Sequence, residues 1–258
     1  MRVSAKTISD TLTKAGRLTR RVIGVYARDE RPAEAVAVSS VVASGHPCMA
    51  KALFKMAMRP GVPPIVVGRD TGGKSCPGLM MWFGFLPFPP GVEAMFSSDS
   101  ADPDSFCIKR TSALAAATLR DMGTFTFAGK YVVMQALDDA DDAMDGLRSV
   151  LCFGDAEQIR NLGALVHFDE ARAFAPIVAP WGSGCATFVA FPAGMASDVP
   201  VNTAFLSPMV PEANAWLPAD TFALGIPIGI AARMAEGYET SFAVRRPEMA
   251  YPAIKEEV

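Results

Sequence analysis

The sequence predicts a mixed α/β fold of the α+β kind, made of two internally duplicated αββαβα-like halves packed about a pseudo-two-fold. Three observations lead there. Short β-like apolar runs alternate with helical patterns of roughly 10 to 15 residues, the signature of a mixed class. Half of the 258 residues are apolar, enough to bury a sizeable core. Finally, segments 109 residues apart share one register. "RVIGVYARDE" (21–30) is echoed by "KYVVMQALDD" (130–139), Gly45 by Gly154, Leu53 by Leu162, and Cys76 by Cys185.

Each half reads in the same order. A helix comes first, "SAKTISDTLTKAGRL" in one half and "IKRTSALAAATLRDMG" in the other. Two short strands follow, the second closing on "VVASG" or "VLCFG", and then a helix over 48–58 or 155–166. A strand at 64–67 or 176–179 leads into a Gly-rich turn, "GGKSC" or "WGSGC", that delivers a cysteine to the final apolar segment. The polar, turn-rich "SSDSADPDS" (97–105) marks the boundary. The halves are therefore 1–100 and 101–200. A C-terminal extension, 201–258, packs on both in one body and contributes "VNTAFL" and a helix near 219–236.

Charge and composition remove several function classes. A net charge of −3 with 20% charged residues provides no basic stripe for nucleic acid or an anionic membrane. The N-terminus is basic but has no apolar h-region, and no run approaches the roughly 18 apolar residues of a spanning helix. A cytoplasmic protein acting on something small is expected, with a small-molecule ligand or a redox protein as partner and a homo-oligomer left open.

Residues 68–75, "GRDTGGKS", have the written form of a phosphate-binding loop, and the apolar run Ile65–Val67 stands where its strand would be. Lys74 would reach the phosphates and Ser75 would hold magnesium, with Asp138 after "YVVMQAL" as the accompanying acid. Pro77-Gly78 then follows at once, where a long helix should run, and the matching turn of the second half lacks the lysine. What both turns share is glycine followed by cysteine.

The five cysteines, Cys48, Cys76, Cys107, Cys152 and Cys185, are odd in number and widely spaced, with no C-x-x-C pair, so they do not form a disulfide framework. Cys152 in "SVLCFG" reads as core, and Cys107 as incidental. With only His46 and His167 present, a histidine-rich metal site is excluded; His167, between Val166 and Phe168, reads as half-buried packing.

"HPCMAKALFKMA", "GKSCPGLMMWFGF", "GKYVVMQAL", "VLCFGDAEQIRNLGALVHF" and "GSGCATFVAFPAG" together resemble the domain-of-unknown-function family 169, a group of prokaryotic proteins without an established activity. The resemblance spans roughly 20–235 and is carried by Cys48 ahead of a helix, Cys76 with Gly78 and Gly84-Phe85, Gln158, and Gly184-Cys185. The segment "LSPMVPEANAWLPAD" departs from the family pattern, which would have a turn with glycine and arginine there. The resemblance implies neither substrate nor reaction.

Thiolates at helix starts make good soft ligands, since the helix dipole lowers their pKa. The leading expectation is therefore an iron–sulfur cluster or another soft metal held by Cys48, Cys76 and Cys185, with His46 as a candidate fourth ligand and redox activity as a consequence. The second reading is a metal-free small-molecule module, its pocket walled by Trp82, Phe85 and Trp181 with Lys74 at its edge. The third is a nucleotide-binding enzyme using Gly68–Ser75. The residues leave open whether the protein is an enzyme.

Overall fold

In the computed structural model, which describes residues 3–42, 45–140, 144–195, 202–211 and 215–252, the chain opens with helix α1 (Ala5–Gly16). Ser4 starts it by accepting a hydrogen bond from the Thr7 amide, and Arg17 ends it in the left-handed conformation. Strand β1 (Ile23–Arg28) follows, then the short helix α2 (Val38–Val41), helix α3 (Met49–Met58) and strand β2 (Ile65–Gly68). Helix α4 (Pro77–Trp82) leads to a long excursion that carries helix α5 (Ser112–Asp121). The chain re-enters the sheet as β3 (Tyr131–Ala136) and β4 (Leu147–Gly154), followed by α6 (Ala156–Phe168) and a two-residue β5 (Ile177–Val178). A π-helix (Cys185–Ala190), strands β6 (Ala204–Ser207) and β7 (Phe222–Pro227), and helix α7 (Ile228–Gly237) complete the body. Two single-turn helices, α8 (Phe242–Arg245) and α9 (Pro247–Ala250), end it.

All seven strands join one mixed sheet in the order β2-β3-β1-β4-β7-β6-β5, antiparallel except for the β5–β6 pair. Strands from residues 1–100 and 101–200 alternate in it, so neither segment owns a sheet. Side chains alternate between two cores. Ile23, Val25, Val132, Met134, Leu151 and Phe153 face the first, with α2, α3, α4 and the π-helix. Tyr26, Val133, Val150, Cys152, Leu224 and Ile226 face the second, with α1, α6 and α7. Helices thus cover both faces, which explains why the central strands read as continuous apolar runs.

Several polar contacts clamp the second face. Asp155 and Gln158 form a capping box at the start of α6, and the Gln158 Nε2 donates to the Arg17 carbonyl at 2.7 Å, tying the end of α1 to the start of α6. Asp138 accepts from Ser9 on α1 at 2.8 Å and pairs with Arg21 at 3.3 Å, while Arg21 also meets Asp139 at 2.6 Å. The carboxylate assigned to magnesium is therefore committed to holding α1.

Three expectations change. The second strand of the first half is helix α2, because the buried valines 38, 41 and 42 recur at helical, not alternating, spacing. The region 219–236 is not one helix: residues 222–227 are a strand buried between β4 and β6, and only the part after Pro227 is helical. The pseudo-two-fold of the halves is not seen: a two-fold axis perpendicular to the sheet keeps each helix on its own face, yet α3 packs in the first core and α6 in the second.

The turn after α4 depends on Gly84. Its φ is +72°, and a Cβ there would stand 2.5 Å from the Phe125 carbonyl oxygen. Gly84→Ala is expected to cost about 2 kcal/mol or more from left-handed strain plus displacement of the 125 backbone. A lower denaturant midpoint with an unchanged m-value checks it.

Candidate functional site

On the second face α1 and α6 begin as local rules prescribe. Ser4 caps α1 and Asp155 caps α6, each through its side-chain oxygen; Thr111 does the same for α5. On the first face, α3 and α4 begin on Cys48 and Cys76, and neither side chain makes a capping hydrogen bond. Pro77 occupies the first helical position of α4, where its missing N–H costs nothing. The π-helix begins on the third cysteine, Cys185. All three thiols are half-buried against the same core cluster.

The π-helix touches both α3 and α4, and a Cβ on Gly184 would lie 3.1 Å from Ala50 Cβ in the first turn of α3. Its widened winding shows in the Phe191 amide, which donates to the Ala186 carbonyl five residues back at 2.9 Å. Phe188 meets Phe153 of β4 edge-on at 5.5 Å, and Phe191 lies 5.9 Å from Phe205 of β6, so the helix lies across these strands. Close approach to β7 between them needs Gly225, where a Cβ would stand 2.4 Å from Pro192 Cγ.

Both Gly-Cys turns hold buried polar atoms without partners: Ser75 Oγ before Cys76, and Trp181 Nε1 and Ser183 Oγ before Cys185. Above Trp181 lies the excursion between α4 and α5. Phe96 meets the indole edge-on at 5.3 Å and Lys109 Nζ sits 4.9 Å from its centroid. Ring on ring, Trp82 packs on Phe88 at 4.9 Å and Phe125 at 5.1 Å, while Phe85 packs on Phe127 at 5.7 Å. Trp82 and Phe85 are 4% and 5% exposed, so they are core rather than pocket wall.

Among the described residues, no group of three or more His, Cys, Asp or Glu side chains is arranged to hold a metal ion. The Cys76 sulfur folds back toward Gly78, 3.5 Å from where a Cβ would be. His46 is exposed beside Cys48, and His167 is exposed in the last turn of α6 rather than packed. Cys107 is exposed and Cys152 is wholly buried on β4.

The phosphate-loop segment folds differently from an anion cradle. Residues 69–74 wind into a 3₁₀ helix, and the Gly68 amide donates to Thr71 Oγ1 at 3.0 Å. Lys74 is exposed whereas Ser75 is buried, so the two do not address one ligand. Moreover, β2 is an antiparallel edge strand and α4 has only six residues.

A cavity of about 610 Å³ opens on the other face, between the start of α6 and α9, and no cysteine lines it. Its buried Asn161 already donates to the Ala250 carbonyl, and Asp155 is occupied in capping. Both of these polar groups thus serve the fold.

The model of the domain-of-unknown-function family 169, described as uncharacterised ArCR, matches residues 11–237 and so takes in both Gly-Cys turns and Cys48. The chain belongs to this family. No curated protein and no solved structure matches it. For this family member the site must therefore be read from its own side chains. No helix among the described residues is long and apolar enough to cross a membrane.

Sequence reasoning selected the three cysteines but missed Ser183, Lys109 and Phe96. Ser183 was within the quoted turn, and its small polar side chain next to two glycines was the available signal. Nothing local marks Lys109 or Phe96, which reach Trp181 only through the fold.

Burial pushes the Cys152 thiol up from the usual 9.0 to about 12. The fold holds the neutral thiol, so its stabilising effect is full below pH 9 and is lost as pH rises toward 12. Cys152→Ala is expected to cost stability near neutral pH, with a difference from wild type that shrinks above about pH 9. Paired denaturant midpoints at neutral and alkaline pH check it.

Proposed function

We propose that this protein binds an iron–sulfur cluster or another soft metal through Cys48, Cys76 and Cys185, and passes electrons to or from a redox partner. The single observation behind this reading is the choice of cap. The two helices in contact with the π-helix, α3 and α4, start on cysteine without a capping hydrogen bond, while α1, α5 and α6, the other helices of ten residues or more that have a polar cap residue, use Ser, Thr or Asp with one. Departures from local rules concentrate at functional sites. Thiolate is the ligand that soft metals select. Binding would draw the three sulfurs together, since among the described residues no such ligand group is assembled without it. Five cysteines, none in a disulfide, suit a reducing compartment such as the cytoplasm.

The second reading, a metal-free small-molecule module, has its own support in the unpartnered Ser75, Trp181 and Ser183 atoms. No observation of this kind favours nucleotide binding at Gly68–Ser75.

Anaerobic purification followed by elemental analysis and a visible spectrum tests the leading reading. The expected outcome is a soft metal at a fixed ratio to chain, with thiolate charge-transfer absorption if iron is bound. Cys76→Ser and Cys185→Ser should each reduce metal content by about tenfold or more while keeping the melting temperature, because a thiol ligand is lost and the fold is not. A colourless, metal-free protein with intact fold would retire it.

A further inference from the structure

Beside the thiols stands a second set of groups, and its chemistry differs. An indole N–H can only donate, so buried Trp181 Nε1 calls for an acceptor that the described residues do not supply. The Ser75 and Ser183 hydroxyls, also buried and unpartnered, can donate too; Ser75 is 6% exposed. An unsatisfied buried donor costs about 1–3 kcal/mol, and three stand in the turns that lead into α4 and the π-helix, two elements in contact with each other. The Lys109 ammonium lies over the indole, 4.9 Å from its centroid. The surroundings are apolar: Phe96 packs on Trp181, and Phe106 lies 6.0 Å beyond Phe96 with 48% of its surface exposed.

We propose that the two Gly-Cys turns bind the carboxylate of a small organic monoacid, which accepts from Trp181 Nε1, Ser183 Oγ and Ser75 Oγ, with Lys109 as its counter-charge. Three donors and one cation match one carboxylate group, and the aromatic cover accommodates an apolar remainder. A dianionic phosphate would leave one charge uncompensated in a desolvated site. The acid enters beneath the segment that carries Phe96 and Lys109. That segment is bonded mainly to itself: the Lys109 amide donates to the Phe96 carbonyl at 2.7 Å, the Phe106 amide to Met95 at 2.8 Å, and Ser97 meets Ser112 at 2.8 Å. It can therefore lift as a unit from Trp181. The proposal rests on the reading that these turns form the site, but it does not need the metal.

The test uses the full chain labelled with ¹⁵N, where Trp82, Trp181 and Trp216 each give an indole N–H signal. Trp181→Phe assigns its own signal and retains the ring against Phe96. Sodium benzoate is titrated against sodium chloride and sodium phosphate at equal ionic strength. The Trp181 signal is expected to move downfield and saturate with benzoate, with the other two indoles still. Ser183→Ala, Ser75→Ala and Lys109→Met should each weaken that binding about tenfold. The serine variants should also leave the empty protein's melting temperature unchanged or raised, because each removes an unsatisfied hydroxyl. A merely structural serine would lower it. No saturable shift with benzoate, an equal shift with phosphate, or undiminished binding in the serine variants would overturn the proposal. Repeating the titration on Cys76→Ser separates the two ideas: binding there without metal supports the acid site even if the metal reading fails, and metal binding with no response to benzoate sinks the acid site alone.

Discussion

The contact of the π-helix with strand β7 sets the geometry of the first face. Gly225 is paired on both sides, to Leu151 of β4 and Phe205 of β6, and presents no side chain to the layer above. That gap admits Pro192 at a distance a Cβ would forbid, with the Thr187 carbonyl 3.3 Å from the same point. A π-helix is a poor hydrogen-bonding arrangement on its own and survives where tertiary burial offsets it. Here residues 186–190 are all buried, Ala186, Phe188, Val189 and Ala190 at 0% exposure. Because its far end is held by the sheet, the near end, Gly184-Cys185, is held against Ala50 of α3.

The two faces divide the work. The second face is held by polar contacts: Asp155 capping α6, Gln158 bridging α6 to α1, and Asp138 fixed by Ser9 and Arg21. The first face leaves the Ser75 and Ser183 hydroxyls and the Trp181 indole N–H without partners, and starts α3 and α4 on cysteines that make no capping hydrogen bond. Stability from the first arrangement tolerates the cost of the second, which is how sites that bind are carried on folds that hold.

Parts of this were legible residue by residue. Apolar runs at 23–28, 65–68 and 131–136 predicted strands because burial on both faces demands unbroken apolar sequence. Helices α1, α3 and α6 announced themselves by amphipathic spacing. Strand β7 did not: "FALGIP" runs straight into an apolar helix, and nothing before Pro227 separates the two periods. The segment around Val38 misled for the opposite reason, since a short valine-rich run suits either state until its partners are known.

Of the candidate site, Cys48, Cys76 and Cys185 could be chosen from sequence because cysteine after glycine turns is a local pattern. The net charge of −3 was equally legible, since charge adds up over the chain regardless of fold. The tertiary structure alone decided that α3 and α6 lie on opposite faces, that residues 69–74 coil on themselves, and that Lys109 and Phe96 close over Trp181. These outcomes depend on which face a chain crosses and how closely two backbones approach. No single stretch encodes that, because burial is a property of the neighbours a residue acquires only when the whole chain has packed.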